Sequence, residues 1–176
     1  MNTFIDIYTC GKTREIDWGF SLNDYMPRYD GVELAVCIEG KEIYLNRKLL
    51  HISELQKNVD RLLFHPDSSL WRFSNRERKI DFFGKAEYPI MPIAMFVSGE
   101  GKQGLSVDEW KFFFDCMNEI MMACDNRMNE ISLEKWDVDY ESLSIEKKEA
   151  IWSVAGYNLN IFFNSCNPPP PDIYTL

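Results

Sequence analysis

The sequence predicts an α+β fold: an antiparallel sheet of about five or six strands from the N-terminal half, packed against helices from the C-terminal half. Two patterns lead there. Up to residue 97, β-branched and aromatic residues gather in short runs bounded by glycine, proline and polar turns. From residue 107 onward, apolar positions recur at helical spacing. A length of 176 residues fits one domain, assigned to 1–166, with a proline-rich tail at 167–176. Hydrophobic residues at 45% and aromatics at 14% supply a core for it.

The strands come first. Residues 3–9 (TFIDIYT) read as β, and residues 32–38 (VELAVCI) and 42–46 (EIYLN) flank Gly40-Lys41. Glycine at the first central position suits a type II′ turn, so these two runs make a hairpin. Residues 70–74 (LWRFS) and 79–83 (KIDFF) form a second expected pair around Asn75 to Arg78. Residues 90–97 are a further run, whose flanking Pro89 and internal Pro92 push its start to an edge or irregular position.

Between the hairpins lies a short helix. Ser53 stands three residues before Gln56, the capping-box spacing, and Leu55, Val59, Leu62 and Leu63 form its apolar stripe up to His65-Pro66. The clearest helix spans 107–129. Ser106 and Glu109 make another capping box, and Trp110, Phe113, Phe114, Met117, Met121, Cys124 and Met128 share one wide face. Met122 points instead along the polar stripe. A last helix starts after Ser144. The run 157–163 alternates like a strand, but Ala150, Ile151, Val154, Ala155, Leu159 and Phe162 share a helical side, so helix is expected throughout.

Charge narrows the function. The chain carries 28 acids and 19 bases, net −9. Residues 47–85 are net basic, with 9 bases to 5 acids, whereas residues 86–176 hold 15 acids and 6 bases. Such a balance repels nucleic acid and anionic membrane at long range and speeds encounter with basic proteins. The longest apolar run, Ile90 to Val97, falls far short of the roughly 20 residues a bilayer span needs. Residues 1–20 lack the pattern of a secretory signal. Five cysteines, odd in number and without CxxC spacing, suit a reducing compartment better than a disulfide framework or a zinc site. A soluble cytoplasmic protein without membrane association is therefore expected.

Catalytic motifs are weak. Gly99 to Gly104 matches GxGxxG, but Ser106 caps the following helix beyond the third glycine, Glu100 puts a negative charge in the loop, and no acid-ended strand follows about 20 residues on. An exposed loop is the simpler reading. Asp137-Val138-Asp139-Tyr140-Glu141 resembles the start of a calcium loop, yet Ser142 and Lys148 occupy the sixth and twelfth positions where glycine and glutamate belong. His65 near Asp67 reads as a helix stop and turn rather than as part of a triad. No cofactor and no metal is expected, and no catalytic residue is assigned. An enzyme using His65, Asp67, Cys37 or a hidden carboxylate pair stays open as an alternative. So does a single-stranded nucleic-acid binder using the basic aromatic hairpin 71–85, where Trp71, Arg72, Phe73, Arg76, Arg78, Lys79, Phe82, Phe83 and Lys85 interleave.

The favoured reading is an acidic module that binds a basic protein. Its expected contact residues lie on the polar face of the long helix and in the acidic stretch after it: Asp115, Glu119, Met122, Asp125, Glu130, Trp136, Asp137, Asp139, Tyr140 and Glu141. Carboxylates steer and pair with lysine and arginine, and the aromatics supply anchoring area at low entropy cost. In overall character, small, acidic, cytoplasmic and α+β, such a chain resembles the immunity proteins that bacteria make against their own toxin domains. The resemblance is one of composition, and it implies inhibition of a nuclease-like toxin domain.

Overall fold

A computed structural model of the chain describes residues 4–9, 12–17, 34–65, 75–89, 93–98, 105–155 and 159–163. It is an α+β structure. The strands are β1 (Phe4–Thr9), β2 (Lys12–Asp17), β3 (Leu34–Glu39), β4 (Glu42–Leu45), β5 (Lys48–Leu50), β6 (Asn75–Ile80), β7 (Gly84–Pro89), β8 (Ile93–Ser98) and β9 (Leu159–Phe163). The helices are α1 (Ile52–Phe64), α2 (Val107–Trp136) and α3 (Ile145–Ala155), with a 3₁₀ turn at Tyr140–Ser142.

Five strands form the main sheet, in the order β5-β4-β3-β8-β9, and β1-β2 and β6-β7 are separate two-stranded ribbons. The expected all-antiparallel sheet is corrected here. β5, β4 and β3 are antiparallel neighbours, but β3 pairs with β8 and β8 with β9 in parallel. The sequence of β8 explains its central place. Ile93, Ala94, Met95 and Val97 are all buried, so both of its faces are covered, as parallel strands require. β8 lies between β3 and β9 and is not an edge, and the proline-marked start of the run, residues 90–92, falls outside the described residues.

Residues 159–163, expected to continue the last helix, form a strand instead. α3 stops at Ala155, and the alternating run Leu159-Asn160-Ile161-Phe162-Phe163 adds to the sheet beside β8. Its period of two prevails because Ile161 falls opposite Met95 and is buried with it. The register sets Leu34, Ile93 and Leu159 in one row and Val36, Met95 and Ile161 in the next. Together with Ile38 and Val97 they line the face that α1 and α2 cover with Leu55, Val59, Leu63, Trp110, Phe113, Met117, Ile120 and Cys124.

Turn chemistry fixes the remaining registers. Gly40, at φ 58°, opens the β3–β4 turn as expected, and its N–H donates to the Ser98 carbonyl. Asn46 and Arg47, both at positive φ, make the two-residue turn into β5, a strand the sequence did not suggest. The second hairpin is shifted from its expected register. The residues read as its turn, Asn75 to Arg78, are in β6, and the actual turn is Asp81-Phe82-Phe83 between Ile80 and Gly84. Both strands of this ribbon lie against α3. β2 was likewise not anticipated, and the expected strand at 70–74, the glycine loop at 99–104 and the tail at 167–176 fall outside the described residues.

Candidate functional site

α2 carries most of the expected contact residues, so its construction decides their geometry. Ser106 accepts from the Glu109 N–H and Glu109 from the Ser106 N–H, closing the expected capping box at 3.3 and 2.6 Å. From there the helix runs 30 residues, about 45 Å, and ends at Trp136 rather than at residue 129. Glu130 to Trp136 is therefore helix and not loop. Asp137 stops it in the left-handed conformation, at φ 54°. The α1 cap also differs from expectation. His51, not Ser53, is the N-cap, reciprocated by Glu54, so its imidazole is occupied in structure. His65 is the exposed C-cap of α1, and Asp67 lies outside the described residues. Cys37 is half-buried in β3.

The acidic segment after α2 is held in place by the helix it follows. The Ser132 hydroxyl, fully buried, donates to the Val138 carbonyl at 2.5 Å, and the Asn129 side-chain oxygen accepts from the Tyr140 N–H at 2.9 Å. Asp137 N–H donates to the Leu133 carbonyl at 2.9 Å. Three backbone positions in four residues are thus tied down, which leaves the Asp137 and Asp139 side chains on a fixed support facing solvent.

The ten expected contact residues do not form one patch. Asp115, Glu119 and Met122 lie on the outer side of mid-α2, and Asp115 and Asp137 stand about 33 Å apart along the helix by its rise. Glu130 is paired with Arg127 at 3.0 Å. Glu141 is paired with Lys148 at 3.6 Å, and the same ammonium donates to the Glu141 carbonyl and lies 5.6 Å over the Tyr140 ring. Trp136 is half-buried, with Phe82 and Phe83 of the hairpin turn edge-on to it and the Lys135 and Lys147 ammoniums over its ring. Asp125 is half-buried. Among the described residues, Asp115, Glu119, Asp137 and Asp139 form no ion pair.

Apart from Met122, the exposed apolar residues were not expected from the sequence. Leu133 continues the Asp115–Met122 line at helical spacing and is exposed, as are Val138 in the segment after α2 and Phe82 on the hairpin turn. Leu133 was readable as the eleventh residue after Met122, three turns on. Phe82 was not, because its exposure depends on a turn the local sequence does not announce. The basic hairpin is also less cationic than its sequence suggested. Glu77 faces Glu87, Lys79 faces Lys85, and Lys85 reaches Glu77 at 3.0 Å. Among the described residues no three His, Cys, Asp or Glu side chains are grouped as a metal would need. No helix of the described residues is long and apolar enough to cross a membrane.

No family model matches the chain, and neither the curated proteins nor the solved structures hold a match to it.

Proposed function

We propose that this chain is an acidic protein-binding module that neutralises or sequesters a basic protein partner, in the manner of an immunity-type inhibitor of a nuclease-like bacterial toxin domain. One observation carries the reading. Among the described residues the Asp137 and Asp139 carboxylates form no ion pair, and they flank exposed Val138 in the braced segment after α2, with exposed Leu133 one turn before them. Apolar anchors rimmed by charge of one sign suit a partner with the opposite sign. The support beneath them is rigid, so little ordering cost attends association. The nucleic-acid alternative is weakened by the hairpin's own acids, since Glu77 and Glu87 stand among the cations meant for phosphate.

The test is capture and charge reversal. The immobilised chain should retain one dominant basic protein from a lysate of its source, released as salt rises past about 0.15 M, where screening shortens to about 8 Å. Reversal of Asp137 and Asp139 to lysine should lower the association rate about tenfold or more. If the partner is a toxin domain, a stoichiometric amount of the chain abolishes its activity. An unchanged rate on reversal, or a retained protein that is acidic, refutes the reading.

A further inference from the structure

The turn between β6 and β7 carries phenylalanine where its backbone suits glycine. The Phe83 N–H donates to the Ile80 carbonyl at 3.1 Å, which makes Phe82 the third residue of the turn, at φ 65°. Positive φ at that position favours glycine or asparagine, and a bulky side chain there is an outlier. Burial does not account for the choice, since Phe82 is 52% exposed. Its edge-on contact with Trp136 orients the ring without covering it. Strain kept at an exposed residue points to a use outside the fold. Trp136 also ties Phe82 to the segment of the proposed contact. It is the last residue of α2, and Asp137, Val138 and Asp139 follow it directly. Leu133, three residues before it, is its neighbour on the helix surface. Asp81, beside Phe82, is exposed like Asp137 and Asp139, and among the described residues none of the three forms an ion pair. The Lys135 and Lys147 ammoniums are turned onto the Phe83 and Trp136 rings.

We infer that Phe82 is the aromatic anchor of this chain's contact with its partner, and that its ring enters an apolar pocket bordered by lysine or arginine on a basic protein. Aromatic side chains are enriched in the buried centre of interfaces, and a few such anchors carry most of the binding energy. The Trp136 contact and the turn fix the ring beforehand, so little freedom is lost when it is covered. The charge selects the occupant. Three unpaired carboxylates stand about the anchor, against two ammoniums engaged with rings, so the pocket that fits carries positive charge at its rim. A second copy of this chain would set those acids against their counterparts in a two-fold contact and is disfavoured. An anionic membrane surface is repelled for the same reason. The inference rests on the reading of the chain as a binder of a basic protein, and it centres the contact on the hairpin turn.

The experiment uses the protein retained in the capture above, purified and titrated calorimetrically against four forms of the full chain: unaltered, Phe82→Gly, Phe82→Asn, and Asp137→Lys/Asp139→Lys. Far-UV circular dichroism confirms that each is folded. Glycine and asparagine both accept the left-handed backbone at residue 82, so each removes the ring and leaves the turn. Asparagine also guards against the extra freedom that glycine brings. Each Phe82 variant is expected to weaken binding about 30-fold. Weakening by both supports the inference, whether or not the aspartate reversal also weakens binding. Affinity kept by either variant overturns the anchor, and weakening by the aspartate reversal in that case leaves the proposed function standing. If no basic protein is retained by the unaltered chain, both fall.

Discussion

The Phe82 ring stands edge-on to the Trp136 ring, centroids 5.9 Å apart and planes 81° apart, although Phe82 holds its backbone at φ 65° to do so. The Ile80 carbonyl accepts from the Phe83 N–H, so Phe82 occupies the third position of a turn where positive φ calls for glycine. A left-handed phenylalanine costs roughly 1–2 kcal/mol, and an edge-to-face pair returns about 0.5–1.5 kcal/mol. Phe82→Gly should therefore change stability by less than about 1 kcal/mol in a urea titration. Trp136→Ala, which removes the shared support of Phe82, Phe83, Lys135 and Lys147, should cost about 2–3 kcal/mol, below the fully buried range because the indole is half-exposed. Equal losses would mean that the hairpin turn is a core element.

The β4–β5 turn offers a second test. Asn46 accepts from the Ala35 N–H at 3.1 Å and donates its own N–H to the Ala35 carbonyl at 2.9 Å, which prolongs the β3 ladder by one residue. Asparagine tolerates the left-handed region there, whereas Arg47 at φ 68° has no such advantage. Arg47→Gly should raise stability by about 0.5–1 kcal/mol, and Asn46→Ala should lower it by about 1–2 kcal/mol. Midpoints of thermal or urea unfolding measure both. A loss on Arg47→Gly would show that the arginine side chain makes a contact worth more than the strain.

Acid stability turns on Asp60 of α1. Burial raises its carboxyl above the ordinary value of 3.8, and Glu130 raises it further, against a smaller pull downward from Arg127 and His65. A carboxyl raised on folding binds more protons folded than unfolded, so its unfavourable contribution grows as pH rises through its titration and is absent below the unfolded value. Asp60→Asn should raise the melting temperature at pH 7 and give no gain near pH 3. A gain of the same size at both pH values would assign the effect to packing instead of charge.

Cys116 faces the core between sheet and helices. Its thiol is pushed up to about 12, first by burial and then by the neighbouring Asp115 and Glu119 carboxylates. With so little thiolate at neutral pH, Cys116 should resist a disulfide exchange reagent in the native state and react fully once urea unfolds the chain. Cys124, also buried, should behave alike. Peptide mapping after labelling reads this directly, and rapid native labelling of Cys116 would contradict the packing described.

The helix starting at Ser106, the β3–β4 hairpin and the apolar face of α2 were legible because each rests on neighbours in sequence: a capping box, a glycine in a two-residue turn, a period of 3.6. The strand at 159–163 was not. Its residues satisfy two periods, and only the distant partners Ile93, Met95 and Val97 choose between them. The parallel pairing was hidden for the same reason. The candidate surface was legible in part. The outward direction of Asp115, Glu119 and Met122 follows from helical spacing, but the neutralisation of Glu141 and Glu130, and the turning inward of Lys147 and Lys148, depend on which groups meet once α2 and α3 are side by side.

The parallel rows of the main sheet also bear on how fast it assembles. Leu34 meets Ile93, and Ile93 meets Leu159, each across roughly 60 residues of intervening chain. Bringing such ends together costs about 3–4 kcal/mol per closure in the length-dependent part alone, and that cost falls due before any side chain of the row is rewarded. Refolding should accordingly be slow, on a scale of milliseconds to seconds, with the helices forming well ahead of the central ladder. During that interval the two faces of β8 are open to water and to other chains, which makes this strand the point where crowded synthesis would most readily go astray.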